Sequence, residues 1–476
     1  MIRRVVAPHI DFSALRRELQ LPTQFPPDAQ AEADSAATAA PTGRADLTDL
    51  PFVTIDPPTS MDLDQAMYLE RSGHGYRVHY AISDVASHVR PGGALDAESW
   101  ARGETVYLPD GKVPLYPPVL SEGAASLLPD QVRAAVVWTI ELDGDGVMTR
   151  VRVERAAIRS RAKLNYPAVQ ADVAKGSVAE PIALLPELGK LLIERGLERG
   201  AINLPIPAQE VEPTEDGSGW RLVLQGPEPV EDFNAQISLL TGMAAARLML
   251  DGKVGLLRTM PPPHPEAIVN LRKAAASLHI PWPHGASPGR VIAAVDAGDP
   301  RGAAFLDHVA ELMRGAGYTA FDGAVPDQPE QAAVAAPYAH VTAPLRRLAD
   351  RYATEVCLAL HAGTPVPDWA RANLAKLPEA MAASGHRAGA ATHGAIDLTE
   401  AVLMENRVGE RFEAAVLDIE PGGHDRPTRA VVAIDDPAVQ AKCAGDGFEL
   451  GTRIPVVLTV ACPRQRRVLF ERDGAG

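Results

Sequence analysis

The chain has 476 residues, 46% of them hydrophobic, and a formal net charge of −15 at pH 7. That composition supports a packed core, with room for one large domain and one or two small ones, and excludes a disordered chain. The acidic balance predicts weak long-range attraction to a polyanion, although a local basic channel can still hold nucleic acid. Cys357, Cys443 and Cys462 are too widely spaced for a zinc cluster or a disulfide framework. No leader pattern opens the chain and no apolar run reaches membrane-spanning length, so a cytoplasmic protein with no membrane partner is expected.

Residues 1–45 read as a small, separate helical module. Asp11 can cap a helix with Phe12, Leu15 and Leu19 on one face, Pro26-Pro27 suit the start of a second, and Ala33–Asp46 reads as a linker. Pro51-Phe52-Val53-Thr54-Ile55 reads as a strand that ends in Asp56. Gln65–Glu70 and Tyr76–Ile82 form a hairpin around Ser72-Gly73-His74-Gly75, and Val136–Leu142 and Val147–Ile158 another around Asp143-Gly144-Asp145-Gly146. Asp232–Asp251 is a helix with Ile237, Leu240, Ala244 and Leu248 along one stripe. Pro344 suits the first turn of another, whose apolar face runs through Leu345, Leu348, Tyr352 and Val356. An Ala-rich helix, Ala382–Leu403, closes a large unit spanning 46–405. In 406–476, strand-like runs at Val408–Gly423, Arg429–Ile434, Arg453–Val460 and Val468–Glu471 suit an OB-like β-barrel. The fold class expected is α+β: a mixed sheet with surrounding helices, a short helical module before it and a barrel after it.

The chemistry concentrates between Asp56 and Gln65. In extended backbone, period-2 spacing puts the carboxylates of Asp62 and Asp64 on one face. Asp56, Asp62 and Asp64 fall within nine residues and repel one another unless a cation sits among them. Hard divalent ions take such oxygen ligands, and Mg²⁺ in particular is held by a few carboxylates plus substrate phosphates. A solvated acidic loop would show the same spacing. A calcium loop would not, because the sixth and twelfth positions from Asp62 are Met67 and Gly73, where an EF-hand needs Gly and Glu.

The run Thr54-Ile55-Asp56, followed by Asp62-Leu63-Asp64-Gln65-Ala66, resembles the signature of the ribonuclease II / ribonuclease R family catalytic domain. Further segments resemble that family in the same order: Ala81–Val89, Leu95–Gln131, Ser160–Tyr166, Arg199–Val211, Leu257–Pro265 and Pro337–Tyr352. The stretch Val408–Ile419 resembles the opening of the ribosomal S-one type of OB domain. The resemblance implies a processive 3′-to-5′ exoribonuclease that hydrolyses single-stranded RNA to nucleoside 5′-monophosphates, with Mg²⁺ or Mn²⁺ as cofactor; a monomer would suffice for a channel within one domain.

Residue by residue, it implies that Asp56, Asp62 and Asp64 hold two metal ions, with Gln65 as a neutral ligand where the family has a fourth aspartate. Arg346 matches the arginine that contacts the scissile phosphate; a salt bridge to Asp350 is its alternative role. Arg347 and His340 could each do either job, ranked well below Arg346, with Arg347 a further RNA-contact candidate, and the backbone N–H groups near Thr342 and Ala343 would point at a phosphate. Tyr107 and Tyr166 match RNA-contacting residues, and Gln236 takes the place of an acidic residue that faces the substrate. Arg258 is kept from the family's Arg-x-His segment, as a structural residue. Gln65 and Gln236 also suit a catalytically weakened RNA-binding relative, and a metal-dependent deoxyribonuclease is a second alternative. Larger family members carry paired cold-shock domains before the catalytic domain. Residues 1–45 cannot hold two of them, so a less constricted entrance and easier entry into duplexes with a 3′ overhang are expected.

Overall fold

Strict alternation along four long strands builds a sheet whose two faces differ. Gln65–Ser72, Gly75–Ser83, Val132–Leu142 and Met148–Arg159 pair antiparallel in that order, and Ala45–Asp46 adds a short parallel edge beside Met148–Arg159. Met67, Leu69, Val78, Tyr80, Ile82, Trp138 and Ile140 line one face. Ala66, Ala81, Ala135, Val137 and Ala156 line the other, where their small side chains leave room for Phe52, Leu63 and Leu127. Phe52 and Leu63 are fully buried there. At about 1.5–3 kcal/mol for each buried large side chain, these two residues anchor both ends of the acidic loop to the sheet. The computed structural model describes residues 10–39, 42–204, 207–214, 219–420, 422 and 428–474. Residues 1–9, positions 40 and 41 of the expected linker, 205 and 206 of the Arg199–Val211 segment, and Gly423 lie outside the described residues.

The helix Pro229–Gly252 covers the first face with Ile237, Leu240 and Ala244. It starts at a reciprocal cap between Glu228 and Glu231, which satisfies end N–H groups that the helix itself cannot. Gly242 allows the chain Tyr338–Ala339 to cross this helix: a Cβ there would lie 2.1 Å from Tyr338 Cε2 and 2.6 Å from the Ala339 carbonyl oxygen. The Ala339 N–H also donates to the Gly242 carbonyl at 3.1 Å. Gly242→Ala is expected to cost about 1–3 kcal/mol, because backbone cannot yield as a side-chain tip can. Thermal unfolding of the variant checks this, and an unchanged midpoint would refute it.

Beyond the sheet, Pro265–Ser277, Pro288–Ile292 and Pro300–Ala310 form a helical cluster with its own apolar core. The long helix Leu377–Met404 then leads to a closed five-stranded barrel. The barrel order is Arg411–Glu420, Arg429–Ile434, Val439–Ala444, Arg467–Arg472 and Arg453–Cys462. Val439–Ala444 is a strand the sequence reading missed. It does alternate, but its inward residues are Val439, Ala441 and Cys443, mostly small side chains and a weak signal beside the other strands.

The N-terminal segment is not a separate piece. Its helices, Ser13–Glu18 and Pro27–Ala37, lie on the rest of the chain, and the second takes up part of the expected linker. Phe12 is buried edge-on to Trp220 with ring centroids 5.9 Å apart. Glu18 pairs with Arg466 of the barrel at 2.7 Å, and Arg16 with Asp110 at 2.6 Å.

Glu400 is buried where the long helix meets the barrel and accepts from Gln209 Nε2 and from the Gln440 N–H, each at 2.9 Å. Burial pushes its carboxyl up to about 7 from an ordinary 4.5. The folded state therefore binds this proton more tightly than the unfolded state. Its contribution, on the order of 3 kcal/mol, is full below the unfolded value and lost as pH rises through about 7. Glu400→Gln keeps the shape and should flatten the fall in stability between pH 5 and pH 8. Denaturant unfolding curves of the two proteins at several pH values test this; parallel pH profiles would refute it.

Candidate active site

Two short pairings hold the acidic loop. Thr54–Ile55 runs parallel to Lys163–Leu164, and the Asp56 N–H donates to the Leu164 carbonyl at 3.1 Å. Lys163 Nζ donates to the carbonyls of Pro58 and Ser60 at 2.7 and 2.6 Å, which fixes the bend between Asp56 and Asp62. The Ser126 hydroxyl ties the far side by accepting from the Leu63 N–H at 2.9 Å and donating to the Met61 carbonyl at 2.7 Å.

The four residues of the acidic motif end in different surroundings. Asp62 receives Lys112 Nζ at 2.8 Å on Oδ1 and the Tyr107 hydroxyl at 3.2 Å on Oδ2. Asp64 is buried and accepts from the Leu345 N–H and from Arg346 Nε, both at 2.7 Å. Gln65 accepts from the Tyr80 hydroxyl at 2.7 Å and donates to the Thr342 carbonyl at 2.6 Å, so its amide links the sheet to the Thr342 segment. Asp56 Oδ2 is buried with no hydrogen-bond partner among the described residues. Burial pushes the carboxyls of Asp56 and Asp64 up to about 6, against the pull of the Arg346 charge.

The segment after Thr342 is a turn, and the helix begins only at Leu348, with Arg347 extended before it at φ −135 and ψ 129. This corrects two expectations. Asp350 pairs with Arg347, not Arg346, through Nε at 2.9 Å and Nη2 at 2.8 Å, so Arg347 is bonded to a buried carboxylate. Nor are the N–H groups of Ala343, Leu345, Arg346 and Arg347 left for a phosphate. Ala343 donates to Asp350 and Leu345 to Asp64, each at 2.7 Å, and Arg346 and Arg347 both donate to the Ala343 carbonyl. Arg346 is the arginine that faces the acidic loop, with 42% of its side chain exposed. His340 is bonded through Nδ1 to the Tyr318 hydroxyl at 2.7 Å, and burial beside Arg347 pushes it down to about 3, so it is neutral. Arg258 lies over the Tyr318 ring, 4.9 Å from its centroid.

Tyr107 lies on a hairpin, Val106–Leu108 with Gly111–Val113, and is 49% exposed beside Asp62. Backbone bonds at 2.9 Å, from the Thr105 N–H to the Arg346 carbonyl and from the Leu348 N–H to the Gly103 carbonyl, dock this hairpin against the arginine turn. Tyr166 opens the helix Tyr166–Lys175, and its hydroxyl accepts from Asn234 Nδ2 at 3.0 Å. Gln236 does not join this group. It lies two residues beyond Asn234, about 200° around the helix. Asn234 and Ser238 are the residues that reach in, Ser238 by a 2.8 Å hydrogen bond to the Thr342 hydroxyl.

Lys112, Asn234 and Lys163 were therefore missed by sequence reasoning. Only Lys112 had a local signal: Pro109-Asp110-Gly111 is a tight-turn sequence that sets Lys112 directly across from Tyr107.

The donor set suits a hard cation of Mg²⁺ type, since every acidic ligand offers oxygen and one buried oxygen lacks a partner. Among the described residues no three His, Cys, Asp or Glu side chains converge as a ready-made cluster.

A sheet carrying an acidic loop, faced by an arginine turn and followed by a barrel, defines a nuclease-like catalytic unit with an appended OB-type domain. The RNB domain matches residues 44–360, the RNase II-type exonuclease C-terminal S1 domain matches residues 410–473, and the chain belongs to the RNB (ribonuclease II / ribonuclease R) family. It is 28% identical over 420 residues to Ribonuclease R of Escherichia coli, covering 79% of this chain and 49% of that one. Against Ribonuclease R of Acidithiobacillus ferrooxidans the identity is 36% over 192 residues, covering 39% of this chain and 44% of that one. The chain thus spans about half the length of these curated relatives. The structure of Mycoplasma genitalium RNase R in complex with ribose methylated single-stranded RNA shares the fold, with a TM-score of 0.85 at 19% identity, covering 98% of this chain and 78% of that one.

Proposed function

We propose that the chain is a 3′-to-5′ exoribonuclease that hydrolyses single-stranded RNA to nucleoside 5′-monophosphates with Mg²⁺ or Mn²⁺, and that it acts as a monomer in the cytoplasm. The observation that carries this reading is the meeting of Asp56, Asp62 and Asp64 with Arg346, between an exposed Tyr107 and Tyr166. Family membership supports it, as does the RNA-bound Mycoplasma relative of the same fold.

Each side chain then has a task. Asp64 holds Arg346 by Nε, so that the exposed guanidinium meets charge building on the scissile phosphate, an effect worth about a hundredfold or more in rate. The Tyr107 ring stacks on a base near Asp62; stacking is worth about 1–3 kcal/mol per base and accepts any sequence. Tyr166, steadied by Asn234, borders the Asp56 side. A divalent ion bound at Asp56 would supply Lewis-acid stabilisation of the phosphate and activation of the attacking water.

The test uses 5′-labelled single-stranded RNA with the purified chain in Mg²⁺, in Mn²⁺ and in chelator, beside DNA of the same sequence. Metal-dependent conversion to very short 5′ fragments, with DNA spared, is the expected result. Intact RNA in both metals with binding retained would instead identify an RNA-binding relative, a reading that Gln65 favours.

A further inference from the structure

We infer that this site takes one divalent ion, at Asp56, and that Lys112 supplies fixed positive charge where a second ion would otherwise sit. The setting rests on the exoribonuclease reading; the content rests on the geometry around Asp62. Lys112 and Tyr107 face each other across their hairpin and between them occupy both oxygens of Asp62. The same Nζ lies 2.9 Å from Glu122 Oε1, so the ammonium is fixed between two carboxylates. Both oxygens of Asp64 are occupied as well, by the Leu345 N–H and Arg346 Nε. At the fourth position of the motif stands a neutral Gln65, with its amide drawn between Tyr80 and Thr342. Asp56 Oδ2 is the oxygen of the motif left buried without a partner among the described residues.

The charge balance points the same way. Asp56, Asp62, Asp64 and Glu122 face Lys112, Arg346 and Lys163, so little negative charge is left over. One divalent ion and one RNA phosphate close that balance. A second ion near Asp62 would meet the Lys112 ammonium at short range, and like charges disfavour each other. Lys112 is thus a positioning residue: it acts through Asp62 and sets how many ions the loop accepts.

The test counts ions and does not depend on turnover. The full chain, without RNA, is titrated with Mn²⁺ while the signal of the free ion is followed by electron paramagnetic resonance. Wild type is compared with Asp56→Asn, Lys112→Met and Lys112→Arg. One specific Mn²⁺ per chain is expected in wild type, and it is lost in Asp56→Asn. Lys112→Met should gain a second Mn²⁺, with at least about tenfold tighter binding than any second ion in wild type, whereas Lys112→Arg should stay at one. If Lys112→Met fails to fold, Lys112→Gln, which also drops the charge, replaces it.

Two Asp56-dependent ions in wild type, none at all, or a folded Lys112→Met that still binds only one would each overturn the inference. A chain that binds one ion yet leaves RNA intact would keep this inference and lose the exoribonuclease reading. An active enzyme that binds two ions would do the reverse.

Discussion

Asp64→Asn is expected to lower kcat for RNA hydrolysis by about a hundredfold to a thousandfold, the scale for removing a preorganised electrostatic contact, while leaving RNA binding within about threefold of wild type. The amide oxygen of Asn can keep the 2.7 Å bond from the Leu345 N–H, so the turn need not move. Its amide nitrogen, however, would face Arg346 Nε, donor against donor, and the charge that holds the guanidinium would be gone. Single-turnover cleavage of 5′-labelled RNA and filter binding of the same RNA separate the two effects. Equal loss of binding and cleavage would mean that Asp64 shapes the RNA groove and has no selective part in the reaction.

Arg346→Lys should reduce kcat by about a hundredfold with the fold intact, because a single ammonium cannot both bond Asp64 and meet the phosphate as a planar guanidinium can. Arg346→Ala removes the partner of a carboxylate that is 2% exposed. Arg346 is itself half-exposed, so solvent moderates the loss, and leaving the buried carboxylate without this donor should cost about 1–3 kcal/mol of stability as well as rate. Measuring unfolding and single-turnover rate for both variants decides between the roles. If Arg346→Lys cuts RNA at the wild-type rate, Arg346 only props up Asp64. Arg347 offers the contrast: it is bonded to buried Asp350, so its loss is felt first in stability.

Much of the fold was legible because it is periodic. The two hairpins of the sheet and the helix over Ile237, Leu240 and Ala244 follow alternation and 3.6-residue spacing, and their observed bounds, Gln65–Ser72, Gly75–Ser83 and Pro229–Gly252, extend the expected ones by a few residues. Val439–Ala444 was illegible because small residues carry little periodic signal. The N-terminal segment looked detached because its partners, Trp220, Asp110 and Arg466, are remote in sequence.

At the site, the spacing of Asp56, Asp62 and Asp64 also suited a solvated acidic loop, and it was the resemblance to the family signature that singled them out. Adjacent positions were harder. Pro344 suggested a helix start, and a helix there would have put Arg346 one turn from Asp350. A turn formed in its place, because Leu345 is drawn to Asp64 and Ala343 to Asp350, so Arg347 took that partner. Gln236 and Asn234 differ by two residues, and the direction in which the helix packs decided that Asn234 meets Tyr166.

The sequence by itself determined the sheet, the main helices and most of the barrel, since each depends on short-range periodicity, and it placed three carboxylates close together in the loop. Tertiary structure alone decided which arginine faces Asp64, which helix face reaches Tyr166, and that Lys112 closes over Asp62. Those outcomes depend on backbone dihedrals and on partners far away in the chain, neither of which local pattern encodes.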